Sequence, residues 1–69
     1  MEKMLNEVRE ISKANNVDLD RAFDMFRSNC EQGKGVYKGT ETFDYSVCPS
    51  DEDFGKLRDE VIKYDRREK

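Results

Sequence analysis

The sequence predicts a small α+β domain that is mostly helical, with three short helices and a β-hairpin between the second and the third. Apolar residues recur at helical spacing in three separate stretches, and a short stretch between the last two alternates apolar with polar residues. The chain has 69 residues, so we expect one small domain over 1–69, with a frayed basic tail at 66–69. A domain of this size buries only about 60% of its unfolded surface and leaves little room for a deep pocket.

The first helix is predicted over about residues 2–14. The apolar residues recur at the i, i+3, i+4, i+7, i+10 spacing of one helix face, and the residues between them are mostly good helix formers. They are Met1, Met4, Leu5, Val8 and Ile11. The two asparagines that follow favour a turn, because their side-chain amides compete for backbone hydrogen bonds.

The second helix is predicted over about residues 19–31. Asp18 suits the N-cap, since its side chain can accept a hydrogen bond from a free backbone N–H of the first turn. Gly33 suits the left-handed conformation that commonly follows the last helical residue. The apolar face is Leu19, Ala22, Phe23, Phe26 and Cys30.

The hairpin is predicted from a change of period. Phe43, Tyr45 and Val47 alternate with polar residues, as in a half-buried strand. Residues 36–37 provide a short partner strand, and Gly39 suits the turn between them. Because an isolated hairpin is only marginally stable in water, we expect it to pack on the helices.

The third helix is predicted over about residues 51–65. Pro49 ends the strand, and Ser50 with Asp53 three residues later resembles a capping box. Gly55 weakens a helix interior by roughly 1 kcal/mol relative to alanine, so we expect another element to approach it closely. The apolar residues of this helix are Phe54, Leu57, Val61 and Tyr64.

A single core is expected to collect the apolar faces of all the predicted elements. Met25 and Ile62 lie off the main apolar faces of their helices, so we expect them at the surface, with Tyr37 and Tyr45 on the outer face of the hairpin. The expected core residues are Leu5, Val8, Ile11, Phe23, Phe26, Phe43, Val47, Leu57 and Val61.

The composition indicates a folded, highly charged domain without a strong excess of bases. Charged residues make up 42% of the chain, and 16 acids outnumber 13 bases, for a net charge of −3. This balance does not provide the basic excess on which non-specific DNA affinity depends. The sequence has neither a signal-peptide pattern nor an apolar run long enough for a membrane span, so we expect a cytoplasmic protein with no membrane partner.

The residues that metal sites and catalysis most often need are scarce. The chain has no histidine and only two cysteines, Cys30 and Cys48, whereas a zinc site needs about four nitrogen or sulfur ligands. Asp18, Asp20 and Asp24 do not form an EF-hand loop, because a phenylalanine stands at its glycine position. We therefore expect no metal, no cofactor and no enzymatic activity. Whether the two thiols are free or form a disulfide stays open.

Asp51, Glu52 and Asp53 form an acidic run that has two interpretations. Negative side chains in the first turn of a helix are stabilised by the unpaired N–H groups there, which explains the run without a ligand. The alternative is that the run forms an acidic surface for a partner.

These features favour a small acidic, non-catalytic protein that binds a larger protein and modulates or inhibits it. Proteins of this kind are typical of phage and mobile-element accessory proteins and of bacterial regulators, and a nucleic-acid mimic is the extreme case. The alternative is a small DNA- or RNA-binding module that uses the second helix and the basic C-terminal tail. The side chains of that helix that could read a groove are Arg21, Arg27, Asn29 and Gln32. A homodimer also stays open. The predicted partner-binding residues are Asp18, Asp20, Asp24, Tyr37, Tyr45, Asp51, Glu52 and Asp53.

Overall fold

Three α-helices account for all the regular secondary structure that the computed structural model describes. It describes residues 2–40, 42–47 and 49–67, with side chains as far as Tyr64. The helices are α1 (Glu2–Asn15), α2 (Leu19–Gln32) and α3 (Asp51–Arg67). All three predicted helices are confirmed, and each continues one or two residues beyond its predicted end.

The predicted helix boundaries are set by local hydrogen bonds. The Asp18 side chain accepts a hydrogen bond from the Arg21 backbone N–H (2.8 Å), as expected of an N-cap. Gly33 adopts the left-handed conformation (φ 69°) and donates its N–H to the carbonyl of Cys30. The Ser50 hydroxyl accepts from the Asp53 N–H (3.2 Å), so Ser50 caps α3 as predicted.

The helices bury their apolar faces in one core. Phe26 lies at its centre with no exposed surface, and its ring contacts those of Phe43, Tyr45 and Phe54 at centroid distances of 5.3–6.2 Å. The guanidinium group of Arg9 on α1 lies over the ring of Tyr64 on α3. The buried apolar residues are Leu5, Val8, Ile11, Leu19, Ala22, Phe23, Met25, Phe26, Cys30, Tyr45, Phe54, Leu57 and Val61.

The predicted β-hairpin is wrong. The 18 residues between Gln32 and Asp51, which we call the α2–α3 loop, contain turns and bends but no strand wherever the structure describes them. The protein is therefore mostly helical, but it is not an α+β domain over its described part.

Side chains from the helices explain why no strand ladder forms. The Asn29 amide donates to the carbonyl of Tyr37 (3.3 Å) and accepts from its N–H (2.9 Å), which is how a neighbouring strand would pair that residue. The Glu7 carboxyl group accepts from the N–H of Thr40 (2.7 Å), and the Asn15 amide donates to the carbonyl of Lys38 (2.8 Å). These loop backbone groups are satisfied by α1 and α2, so they do not need a second strand.

Four other expectations about packing are also wrong. Val47 is predicted in the core but is 67% exposed, because its N–H bonds back to the carbonyl of Asp44 and the chain turns outward. Met25 and Tyr45 are predicted at the surface but are both buried, while Ile62 is exposed as predicted. A Cβ added to Gly55 would meet nothing within 4 Å, so no other element approaches this glycine among the described residues.

The two thiols are described unequally. Cys30 is buried in α2, whereas Cys48 lies outside the described residues. Whether the two thiols form a disulfide therefore stays open.

Within the described part, no group of three or more side chains is arranged to hold a metal ion. None of the described helices has the length and apolarity needed to cross a membrane.

Candidate protein-binding cleft

The α2–α3 loop and the first turns of α1 and α3 enclose an open cleft of about 570 Å³, which we call the loop cleft. Its apolar wall contains Met4 and Phe43, both partly buried against the core, and the exposed Val47. Charged groups at the cleft come from all three segments. The lining residues are Lys3, Met4, Thr42, Phe43, Asp44, Val47, Pro49, Ser50 and Asp53.

Asp44 is held in a fixed position at this cleft. Its Oδ1 accepts hydrogen bonds from the backbone N–H of Ser46 (3.0 Å) and from the Ser46 hydroxyl (2.5 Å). These bonds favour the charged form and lower the pKa of Asp44 below its usual value of 3.8, with the hydroxyl bond as the larger cause. The cleft therefore presents an oriented carboxylate at neutral pH.

A second cleft of about 360 Å³ adjoins the loop cleft and shares Lys3, Thr42 and Phe43 with it. Glu7 lines this second cleft and is 1% exposed. Its Oε1 accepts hydrogen bonds from both the N–H and the hydroxyl of Thr40. Its Oε2 is buried without a hydrogen-bond partner among the described residues. Glu7 is therefore the main polar contact between α1 and the loop.

The acidic run at the start of α3 does not form a single patch. Consecutive helical residues differ in direction by about 100°, so three in a row point to three sides of the helix. Asp53 lines the loop cleft, whereas Asp51 lines a small cleft against α2. On the exposed face, the Glu52 Oε1 lies 3.9 Å from the Lys56 Nζ. Of these three acids, only Asp53 lines the loop cleft together with Val47.

The predicted α2 acids occupy a different surface. Asp18 acts as the N-cap of α2, while Asp20 and Asp24 are exposed one turn apart on the helix. None of these three residues lines the loop cleft. The structure therefore does not gather the predicted acids into one site.

The two predicted tyrosine anchors differ in accessibility. Tyr37 is partly buried and its backbone is held by Asn29. Tyr45 is 7% exposed and packs its ring against Phe43 at 4.8 Å, so it supports the cleft wall from behind instead of offering contact surface.

The alternative interface on α2 loses one of its proposed reading groups. Asn29 is fully buried and uses its amide on the loop, so it cannot reach a base edge. The Arg27 Nε lies 3.7 Å from the Glu31 Oε1, and the guanidinium group lies above the ring of Phe54. Both contacts engage this group within the molecule. Arg21 and Gln32 remain exposed beside Asp20 and Asp24.

Sequence reasoning missed Glu7, Asp44 and the exposure of Val47. Glu7 stands at helical spacing between Met4 and Ile11, which was a signal that its side chain faces inward along the edge of the apolar face. The Asp-x-Ser sequence at 44–46 was a signal for a side-chain-capped turn that would interrupt a strand.

Comparison of the chain with protein-family models, with curated proteins and with solved structures gave no match.

Proposed function

We propose that this protein is a small, non-catalytic binding protein that docks on a larger protein and modulates or inhibits it. The observation that carries the proposal is the loop cleft, where Val47 stands 67% exposed beside Met4 and Phe43 and between carboxylates. An apolar surface bordered by charged groups is the usual composition of a protein-binding site.

The length of the α2–α3 loop supports this proposal. Loops of more than about 12–15 residues without secondary structure are uncommon in compact domains and are often functional. This loop spans 18 residues and is anchored by Glu7, Asn15 and Asn29, which come from two helices. Anchoring a binding loop before the partner arrives lowers the entropy that association must offset.

The charge distribution suggests how modulation would work. The protein has a net charge of −3, and carboxylates at the loop cleft and on α2 would attract a basic surface and orient the encounter. Once docked, an 8.1 kDa domain covers an active site or a nucleic-acid surface sterically. Mimicry of a nucleic acid is the limiting case of this mechanism.

The test begins with affinity capture from the native host and identification of the retained protein by mass spectrometry. The captured protein is then purified, and binding and activity are measured with and without the small protein. The proposal expects a saturable complex with a defined stoichiometry and a changed activity.

Two outcomes would contradict the proposal. One is a purified complex in which the activity of the larger protein is unchanged at saturation. The other is binding to generic duplex DNA that weakens steeply with salt, which would favour the nucleic-acid alternative.

A further inference from the structure

We propose that the loop cleft binds a segment of the partner protein in which an aliphatic side chain is flanked by lysine or arginine residues. This inference rests on the proposed function and specifies the chemistry of the partner. It commits to one of the surfaces of the molecule, the one lined by Met4, Phe43, Val47, Asp44 and Asp53.

The apolar wall selects the aliphatic side chain. Phe43 packs its ring against Phe26 and Tyr45, so this part of the apolar wall is backed by the core. Val47 projects from the wall into solvent, and the ring of Pro49 adds apolar surface next to it. A branched aliphatic side chain placed between them would remove apolar area on both partners from water.

The charges at the cleft select the flanking residues. Asp44 and Asp53 face a single basic residue, Lys3, so the carboxylates exceed the bases among the lining residues. The hydrogen bonds from Ser46 hold the Asp44 carboxylate in place, so binding a cation there does not first require ordering the side chain. Like charge would repel an acidic segment from the same position.

Arg67, at the C-terminal end of α3, lies far from the cleft in the same molecule. Asp53 lies in the first turn of α3, and Arg67 is the last residue of that helix. At 1.5 Å per residue the two are separated by roughly 20 Å along the helix axis. Docking of a second copy on the cleft is a separate case, which sedimentation distinguishes.

The experiment uses three sets of short fluorescent peptides with blocked ends. The first set has the pattern basic–x–aliphatic–x–basic, the second replaces both basic residues with glutamate, and the third replaces the aliphatic residue with serine. Affinity is measured by fluorescence anisotropy at low and moderate salt. We expect the first set to bind at least roughly 10-fold more tightly than either of the others, which corresponds to about 1.4 kcal/mol.

Variants of the protein locate the binding. Val47→Ser and the double variant Asp44→Asn with Asp53→Asn should each weaken binding of the first set by roughly 10-fold or more. Asp44→Asn keeps an oxygen that can accept from Ser46, so the turn is preserved while the charge is lost. The matched control is Glu10→Gln with Asp59→Asn, which removes the same charge from two exposed acids that do not line the loop cleft and should leave the affinity unchanged.

Three results of the peptide experiment would overturn the inference. One is equal affinity for all three peptide sets, and another is the same affinity of Val47→Ser and the unchanged protein for the first set. The third is that the NMR shift changes on peptide binding map to α2 instead of residues 42–47. A dimer in sedimentation that is dispersed by Val47→Ser would assign the cleft to a second copy and overturn it as well.

The proposed function and the inference about the cleft can fail independently of each other. If the captured partner still binds Val47→Ser and the neutralised double variant normally, this inference fails while the proposed function stands. If the peptides bind as expected but the purified partner shows no change in activity, the cleft specificity stands and the proposed function fails.

Discussion

The helices and the α2–α3 loop are ordered by different interactions. Each helix satisfies most of its own backbone, adjacent capping residues satisfy part of its ends, and more distant segments are needed mainly to cover its apolar face. The loop instead depends on side chains of α1 and α2, with Asn29 holding Tyr37 and Glu7 holding Thr40. The helices are therefore defined by local sequence, whereas the loop is defined by contacts between residues far apart in sequence. The predictions below separate these two kinds of order, starting from the largest effect.

Phe26→Ala should disrupt both regions together. Phe26 has no exposed surface and contacts rings from the loop and from α3. Truncating a buried phenylalanine costs about 3–5 kcal/mol, a large part of the stability of so small a domain. Urea denaturation followed by circular dichroism should show a largely unfolded chain at low urea. A loss below about 1 kcal/mol would contradict the assignment of Phe26 to the centre of the core.

Asn29→Ala should release the loop more than the helices. The substitution leaves the N–H and carbonyl of Tyr37 without their partner, at a cost of about 1–3 kcal/mol. Hydrogen exchange should accelerate at the Tyr37 amide, while the amides in the middle of α1 stay protected. Gln32→Ala, at the exposed end of α2, is the matched control and should change neither. Unchanged exchange at Tyr37 in Asn29→Ala would argue that the loop is held elsewhere.

Two glycine-to-alanine substitutions should have opposite signs. A Cβ at Gly39 would collide with Glu7 Oε2 and lie 3.0 Å from Ile11, so Gly39→Ala should cost about 1–3 kcal/mol. Gly55 lies in a helix with open space around it, so Gly55→Ala should stabilise the protein by roughly 0.5–1 kcal/mol. Thermal melting measures both. The same sign for the two variants would contradict the contrast between loop and helix.

The smallest effect concerns pH. Since the pKa of Asp44 is lowered in the folded state, the stabilisation from its bonds to Ser46 is present above the unfolded value of 3.8 and is lost as the pH falls through the lower folded value. An NMR titration of the Asp44 carboxyl carbon should give a midpoint below 3.8, and Ser46→Ala should move it upward. A midpoint that Ser46→Ala leaves unchanged would argue against this turn.

The difference between the regions also explains what the sequence could predict. The helix boundaries follow from residues close to one another, such as Asp18 before α2 and Gly33 after it, and these were predicted to within two residues. Alternation at 43–47 had the period of a strand, but the period does not reveal whether a second strand or a helix side chain satisfies the backbone. In this protein the loop backbone is satisfied by Asn29 on α2 and Glu7 on α1, which lie outside the alternating stretch.

The candidate site was harder to predict for the same reason. Asp53 was identified from the acidic run, but the loop cleft depends on the turn at 44–46 that brings Val47 to the surface. The acidic run also did not reveal which of its members lies at the cleft, because the helix directs Asp51 and Glu52 away from Asp53. The proximity of Lys3 and Met4 to this loop is a tertiary contact that no local pattern contains.

The central claim is that helix side chains order the α2–α3 loop in place of a hairpin and thereby leave Val47 exposed at an open cleft. NMR of the uniformly labelled protein tests it directly through nuclear Overhauser effects and amide exchange. The account predicts contacts from the Asn29 side-chain amide to Tyr37, from Glu7 to Thr40, and slow exchange at both loop amides. Cross-strand Hα–Hα contacts between residues 36–38 and 43–45, with the Val47 side chain protected in the core, would contradict it.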